Sequence, residues 1–206
     1  MKRTMGVGLI CLGMALMSGC SNKTNIPKYT ATFIDAAVDG VNYDCGNISD
    51  KTKNGGKFTC PTGEKVDFSI GKLKLLTIDP NNTKFRKNSS GEYALFVKDV
   101  APTTVAPKIA AVLLTLDSDG NPDNGITLPK EADKIIEEAV PNVSTINNLD
   151  VDTKVTEIRT KAVETTGKDT FQATTTDDAT AHLNTVEQEV QQDFPQEVTK
   201  ITGGEG

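Results

Sequence analysis

The spacing of the hydrophobic residues changes once along this chain, near Val100, and that change constrains the fold more than any other feature. Before it the period is two. Tyr29, Ala31 and Phe33 alternate with polar residues, as do Val41, Tyr43 and Cys45, then Phe58 and Cys60, then Val66, Phe68 and Ile70. Successive strand residues point to opposite faces, so this pattern predicts strands with one buried side. Gly40, Gly55, Gly56, Gly63 and Gly71 punctuate the runs as turn residues. The run at 73–78 extends the set, and 93–97 reads either as a further strand or as a short helix.

After Pro102 the period becomes helical. Val105, Ile109, Val112 and Leu116 share one stripe, with Thr103 or Thr104 as the cap and Pro107 in the first turn. A second helix is expected over 129–139 with Ile135 and Ile136 inward and Pro141 ending it, and a third carries Val151, Val155, Ile158 and Ala162. The fourth has Thr176 as cap, Asp177 and Asp178 favourable to the dipole, and Ala179, Leu183, Val186 and Val190 on one face. The expected class is α+β: a small antiparallel sheet or Ig-like sandwich over 29–100, about four short packed helices over 101–198, and a flexible tail over 199–206. With aromatic residues at 5% and no Trp, the core is expected to rest on Val, Ile, Leu and Ala.

The first twenty residues read as a leader. Lys2 and Arg3 are followed by an apolar stretch over 7–16, then by Met17, Ser18, Gly19 and Cys20. The apolar run is about ten residues, short of the roughly twenty that a spanning helix needs. The last four residues resemble the lipobox of bacterial lipoproteins, although Met17 replaces the usual Leu. That likeness implies a signal peptide over 1–19, acylation of Cys20 and a polar tether over 20–28. Ser21, where an inner-membrane retention signal would carry Asp, implies the outer membrane of a Gram-negative envelope. The alternative is an ordinary secretory signal with an incidental Cys. The net charge of −6 becomes more acidic by two once Lys2 and Arg3 are removed, and the remaining bases are scattered among acids, which argues against nucleic acid as a partner.

Three groups of residues are candidates for chemistry. Cys45 and Cys60 remain once Cys11 is removed and Cys20 acylated; in an exported protein they are expected to form a disulfide across a hairpin, the alternatives being a redox pair or half of a metal site. Asp117, Asp119, Asn121 and Asp123 stand at alternate positions, a spacing that can gather oxygens on Ca²⁺. Against this, Pro122 and Leu128 occupy the places where an EF-hand has its Gly and bidentate Glu, so a solvated turn is the competing reading. The single His, His182, is taken as an ordinary helix-surface residue, and the acidic pairs Glu137/Glu138 and Asp177/Asp178 as a solvated face and a helix start. The chain carries no G-x-S-x-G, H-E-x-x-H or glycine-rich phosphate loop, so no enzyme is expected and no cofactor beyond the Ca²⁺ alternative.

Several stretches together resemble a known module. The runs F-I-D-A-A-V-D-G-V-N-Y-D-C-G over 33–46, G-K-F-T-C over 56–60 and V-D-F-S-I-G over 66–71 are similar to a small β domain near the start of surface lipoproteins of the accessory colonization factor D type. The stretch 114–126, with its L-D-S-D-G-N-P-D-N-G-I run, resembles the helix and turn that follow it, and 175–183 a closing helix. The resemblance implies one β-plus-helices module in a surface-associated lipoprotein. It brings no peptidase region with it. The implied role is a non-enzymatic adhesion, structural or interaction module, with an envelope, secretion or host-surface protein or glycan as partner; the alternative is a periplasmic Ca²⁺- or ligand-binding lipoprotein.

Overall fold

The computed structural model describes residues 26–199 and Ile201, and it has the expected α+β class. Strands β1 (Lys28–Ile34), β2 (Val38–Asp39), β3 (Asn42–Cys45), β4 (Ile48–Lys51), β5 (Lys57–Pro61), β6 (Val66–Ile70), β7 (Leu73–Ile78), β8 (Phe85–Lys87) and β9 (Tyr93–Phe96) come first. They are followed by α1 (Val97–Val100), α2 (Ala106–Thr115), β10 (Ile126–Thr127), α3 (Ala132–Ala139), α4 (Val151–Thr166), α5 (Thr176–Asp193) and β11 (Gln196–Val198). Both readings of 93–97 hold in part, since β9 runs directly into the single turn of α1.

The strands form two main layers. One is antiparallel, in the order β4-β3-β6-β7; the other runs β11-β8-β9-β1-β5 and is antiparallel except where β1 meets β9. The period-two residues face each other between them. Phe33 of β1 and Phe58 of β5 lie 4.7 Å and 5.1 Å from the ring of Phe68 on β6, and Tyr43 of β3 lies 5.8 Å from Phe58. The expectation of an aliphatic core is corrected here. Six of the seven Phe residues are fully buried, each stabilising the fold by about 1.5–3 kcal/mol, so few aromatic residues nevertheless fill the centre. Gly56 makes the β4–β5 turn possible: its φ is +76°, and a Cβ there would stand 2.6 Å from the Phe33 carbonyl oxygen.

The helices complete the body. Helix α2 packs against α4 and α5, and α3 packs against α4. Residues 109–116 of α2 and its C-cap are all buried, so α2 is a central helix rather than an amphipathic one with a single inward stripe. Helices α3, α4 and α5 bury the faces expected of them. Asp133 pins α3 to the antiparallel sheet, accepting from Asn42 Nδ2 and Gly71 N at 2.7 Å and from Lys51 Nζ at 2.8 Å.

Two caps differ from expectation. Helix α2 has Val105 at its N-cap, because Thr103 and Thr104 belong to the turn in which the Val105 and Ala106 N–H groups bond the Pro102 carbonyl. In α5 the cap is Thr175, whose hydroxyl accepts the Asp178 N–H. Thr176 is instead held by Asp152 of α4, to which its N–H and hydroxyl donate at 2.7 Å and 2.8 Å.

Strand β11 was not expected, and it lies within the segment assigned to helices. Its three residues carry no alternation, but Glu197 sits opposite Arg86 and pairs with Lys84 at 2.6 Å, which holds the strand on the sheet edge. Ile201, within the expected flexible tail, is 2% exposed. One continuous cluster of buried side chains runs from Tyr29 to Ile201, so the two halves share a core.

Candidate functional site

Strand β1 ends in a tight turn, an isolated bridge from Ile34 to Ala37, that carries Asp35 between the sheet and helix α5. The loop after α2 returns to the same place: β10 pairs parallel to β2, and the Ile126 N–H bonds the Ala37 carbonyl at 2.9 Å. Helix α5 brings His182 against the turn. These three segments enclose a cavity of about 340 Å³, with Ile34, Val186 and Phe194 among its apolar lining and Asp123, His182, Glu189 and Asp193 among its polar lining.

Asp35 is the most unusual residue of this region. It is 0% exposed, and neither carboxyl oxygen has a hydrogen-bond partner. Burial without a compensating partner disfavours the charged form, and the Asp35 pKa is pushed up to about 8. Its side chain is therefore predominantly the neutral acid at neutral pH. His182 Nε2 lies 3.0 Å from the Asp35 carbonyl oxygen and 3.9 Å from its Oδ1. Because a carbonyl oxygen can only accept, Nε2 carries the proton in this contact. Burial lowers the His182 pKa, against a smaller raising effect of that carbonyl, so the ring is neutral as well.

A neutral acid beside a neutral imidazole can take up, share or release a proton. The residues lining the cavity include no Cys, Ser, Lys or Arg, and its formal charges are acidic. It suits a ligand that brings hydrogen-bond donors or positive charge.

Sequence reasoning missed this site. His182 is not an ordinary surface residue, since its side chain is only 16% exposed and its Nε2 is engaged. Asp35 continues the inward phase of Tyr29, Ala31 and Phe33, which was the available signal, but it stands just past the end of β1 in a turn, where an Asp ordinarily reads as a solvent-facing turn residue.

The predicted site residues fall in different places. Cys20 and the leader lie outside the described residues. Cys45 and Cys60 are joined by a disulfide, but not across a hairpin: Cys45 is on β3 and Cys60 on β5, so the bridge ties the two sheets together through the core, with Cα atoms 5.9 Å apart. Of the acidic loop, Asp123 lines the His182 cavity. Asp117 and Asp119 sit at the other side of the loop. Asp117 Oδ1 accepts the Thr127 N–H at 3.0 Å, while Asp119 accepts the Asn121 N–H and the Asn124 amide, each at 3.0 Å. Burial first, then the neighbouring Asp119 carboxylate, raises the Asp117 pKa to about 6. Among the described residues no group of three or more His, Cys, Asp or Glu side chains is placed to hold a metal ion, and no helix is long and apolar enough to cross a membrane.

Comparison of the chain with protein-family models, with curated proteins and with solved structures finds no match.

Proposed function

We propose that this chain is an exported, lipid-anchored envelope protein that acts as a non-enzymatic interaction module. The observation that carries the proposal is the Cys45–Cys60 bridge, buried between two sheets. Such a disulfide persists in an oxidising compartment and is rare in the cytosol. A leader ending in Met17, Ser18, Gly19 and Cys20 is the sequence counterpart of the same address. The outer membrane is the favoured location because Ser21 follows the acylated Cys.

Eight residues separate Cys20 from the second residue of β1, at Tyr29. Fully extended they reach at most about 30 Å, so the folded body would sit close to the bilayer surface. Acyl chains hold position, the disulfide holds the sheets in register, and the acidic His182 cavity offers a partner one recessed contact.

Radiolabelled palmitate and membrane fractionation test the anchor. Wild-type protein should carry label and sediment with membranes, and Cys20→Ala should lose the label. Non-reducing peptide mass spectrometry of the exported protein should find Cys45 joined to Cys60. An unlabelled wild-type protein with reduced Cys45 and Cys60 would end the proposal.

A further inference from the structure

The loop after α2 contains one buried oxygen that the fold leaves unsatisfied. Asp117 is 1% exposed; Oδ1 receives the Thr127 N–H, but Oδ2 has no hydrogen-bond partner. Asp119 stands two residues along the same turn, and its negative charge acts on the Asp117 carboxyl. Two carboxylates held together at a buried edge repel each other unless a positive charge or a shared proton lies between them. The Thr170 hydroxyl donates to the Ser118 carbonyl at 2.6 Å and the Gln172 amide to the Gly120 carbonyl at 3.3 Å, fixing the chain on both sides of Asp119. Gly120, at φ +69°, packs so closely on Thr170 that a Cβ would collide with its carbonyl oxygen. The backbone of the loop is thus braced from the 170–172 segment.

We propose that this turn is a Ca²⁺ site in which Asp117 and Asp119 hold the ion between their carboxylates, with the exposed Asn121 supplying an amide oxygen. The chemistry selects the ion class. The donors are all oxygen, which suits a hard cation, and Ca²⁺ accepts irregular sets of carboxylate, amide, main-chain and water oxygens. Mg²⁺ requires a near-ideal octahedron, and Zn²⁺ prefers His and Cys ligands, neither of which this turn offers. Asp123 is excluded from the set because it lines the His182 cavity. With two carboxylates, the affinity belongs to the range of extracellular Ca²⁺ modules, Kd on the order of 10⁻⁴–10⁻³ M.

The test compares thermal unfolding and titration calorimetry of the exported protein at neutral pH, first with chelator and then with about 10 mM Ca²⁺ or Mg²⁺. Ca²⁺ should release or absorb heat with one ion per chain and raise Tm by roughly 3–10 °C, and Mg²⁺ should do so by less. Asp119→Asn, at an exposed position, should keep the fold and weaken binding by about tenfold or more. Asp117→Asn should do the same, and Asp123→Asn should bind as wild type. No heat and no Tm shift in the wild-type protein would overturn the proposal, as would an undiminished response in Asp119→Asn. So would a wild-type protein indifferent to Ca²⁺ whose Asp117→Asn form is more stable, because the two carboxyls would then share a proton instead. If Asp117→Asn fails to fold, Asp119→Asn decides alone.

Discussion

Replacing Asp35 by Asn should change how the stability of this protein depends on pH. In the folded chain the Asp35 pKa is about 8, against an ordinary value of 3.8 in the unfolded chain. Between those values the folded protein holds one proton that the unfolded chain has released. Stability therefore falls as pH rises, by about 1.4 kcal/mol per pH unit for this one group. The contribution is complete below about pH 4 and is lost as pH rises through about 8. Asn is neutral and nearly isosteric, so Asp35→Asn removes this slope. Its amide has its own cost of burial, about 1–3 kcal/mol, but that cost does not vary with pH. The quantity to measure is the difference in unfolding free energy between variant and wild type. From about pH 5 to about pH 7 it should shift by about 3 kcal/mol in favour of the variant, which is a relative shift of roughly 1–3 M in urea midpoint. Urea titrations followed by circular dichroism at several pH values provide it. The proton count is the same whether the proton rests on Asp35 or passes to His182 as an ion pair, so His182→Gln separates the two: the slope survives if Asp35 holds the proton. A free-energy difference independent of pH across that interval would show that Asp35 ionises normally in the folded state, and the account of its burial would be wrong.

Other substitutions test other parts of the fold. The Cys45–Cys60 bridge closes a loop with a sequence separation of 15, and its reduction should lower unfolding free energy by about 3 kcal/mol, read as a urea midpoint with and without reductant. Arg86, 5% exposed, makes a two-point contact with Asp99 at 2.5 Å and 3.0 Å; Arg86→Ala leaves that largely buried carboxylate only the Lys84 ammonium at 3.6 Å and should cost about 1–3 kcal/mol, whereas a loss below about 0.5 kcal/mol would show the pair to be solvated. Asp133→Ala removes three hydrogen bonds between α3 and the antiparallel sheet and should cost about 1–3 kcal/mol, with faster amide exchange at Gly71 as the local sign.

The sequence revealed the elements better than it revealed their assembly. Strands β1, β3, β5, β6 and β7 and the buried faces of α3, α4 and α5 follow from periodicity, because each face is decided by residues two, three or four apart. Pairing is decided elsewhere. The parallel contacts of β1 with β9 and of β2 with β10 join residues about sixty and ninety positions apart, and no local pattern encodes them. The Cys45–Cys60 pair was legible as a bond, but its role between sheets depended on those pairings. Helix α2 misled for a related reason: small alanines at 106, 110 and 111 look permissive of solvent, yet they let α4 and α5 approach closely from two sides. Asp35 was hidden because, although it keeps the inward phase of β1, it stands in the turn beyond the strand, where Asp is a common solvated residue.

The return of β10 beside β2 also explains why both unusual carboxyls lie where they do. An antiparallel meander would end the β half at its own edge and leave the helices as an appendage. Here β10 returns beside β2 and β11 returns beside β8, so the helical half contributes strands to the β half twice. Each return must turn a strand end or a helix end inside the shared core, where water cannot satisfy polar groups. Asp35 sits at the end of β1, and Asp117 lies beyond the last turn of α2, at the two corners that β10 draws together. Mutations at these corners should therefore loosen the helices and the sheets together, and cutting the chain near Val100 should yield no half that folds alone, because each half would expose its side of the common core. A stable, cooperatively unfolding fragment over 26–100 would contradict this picture of a single body.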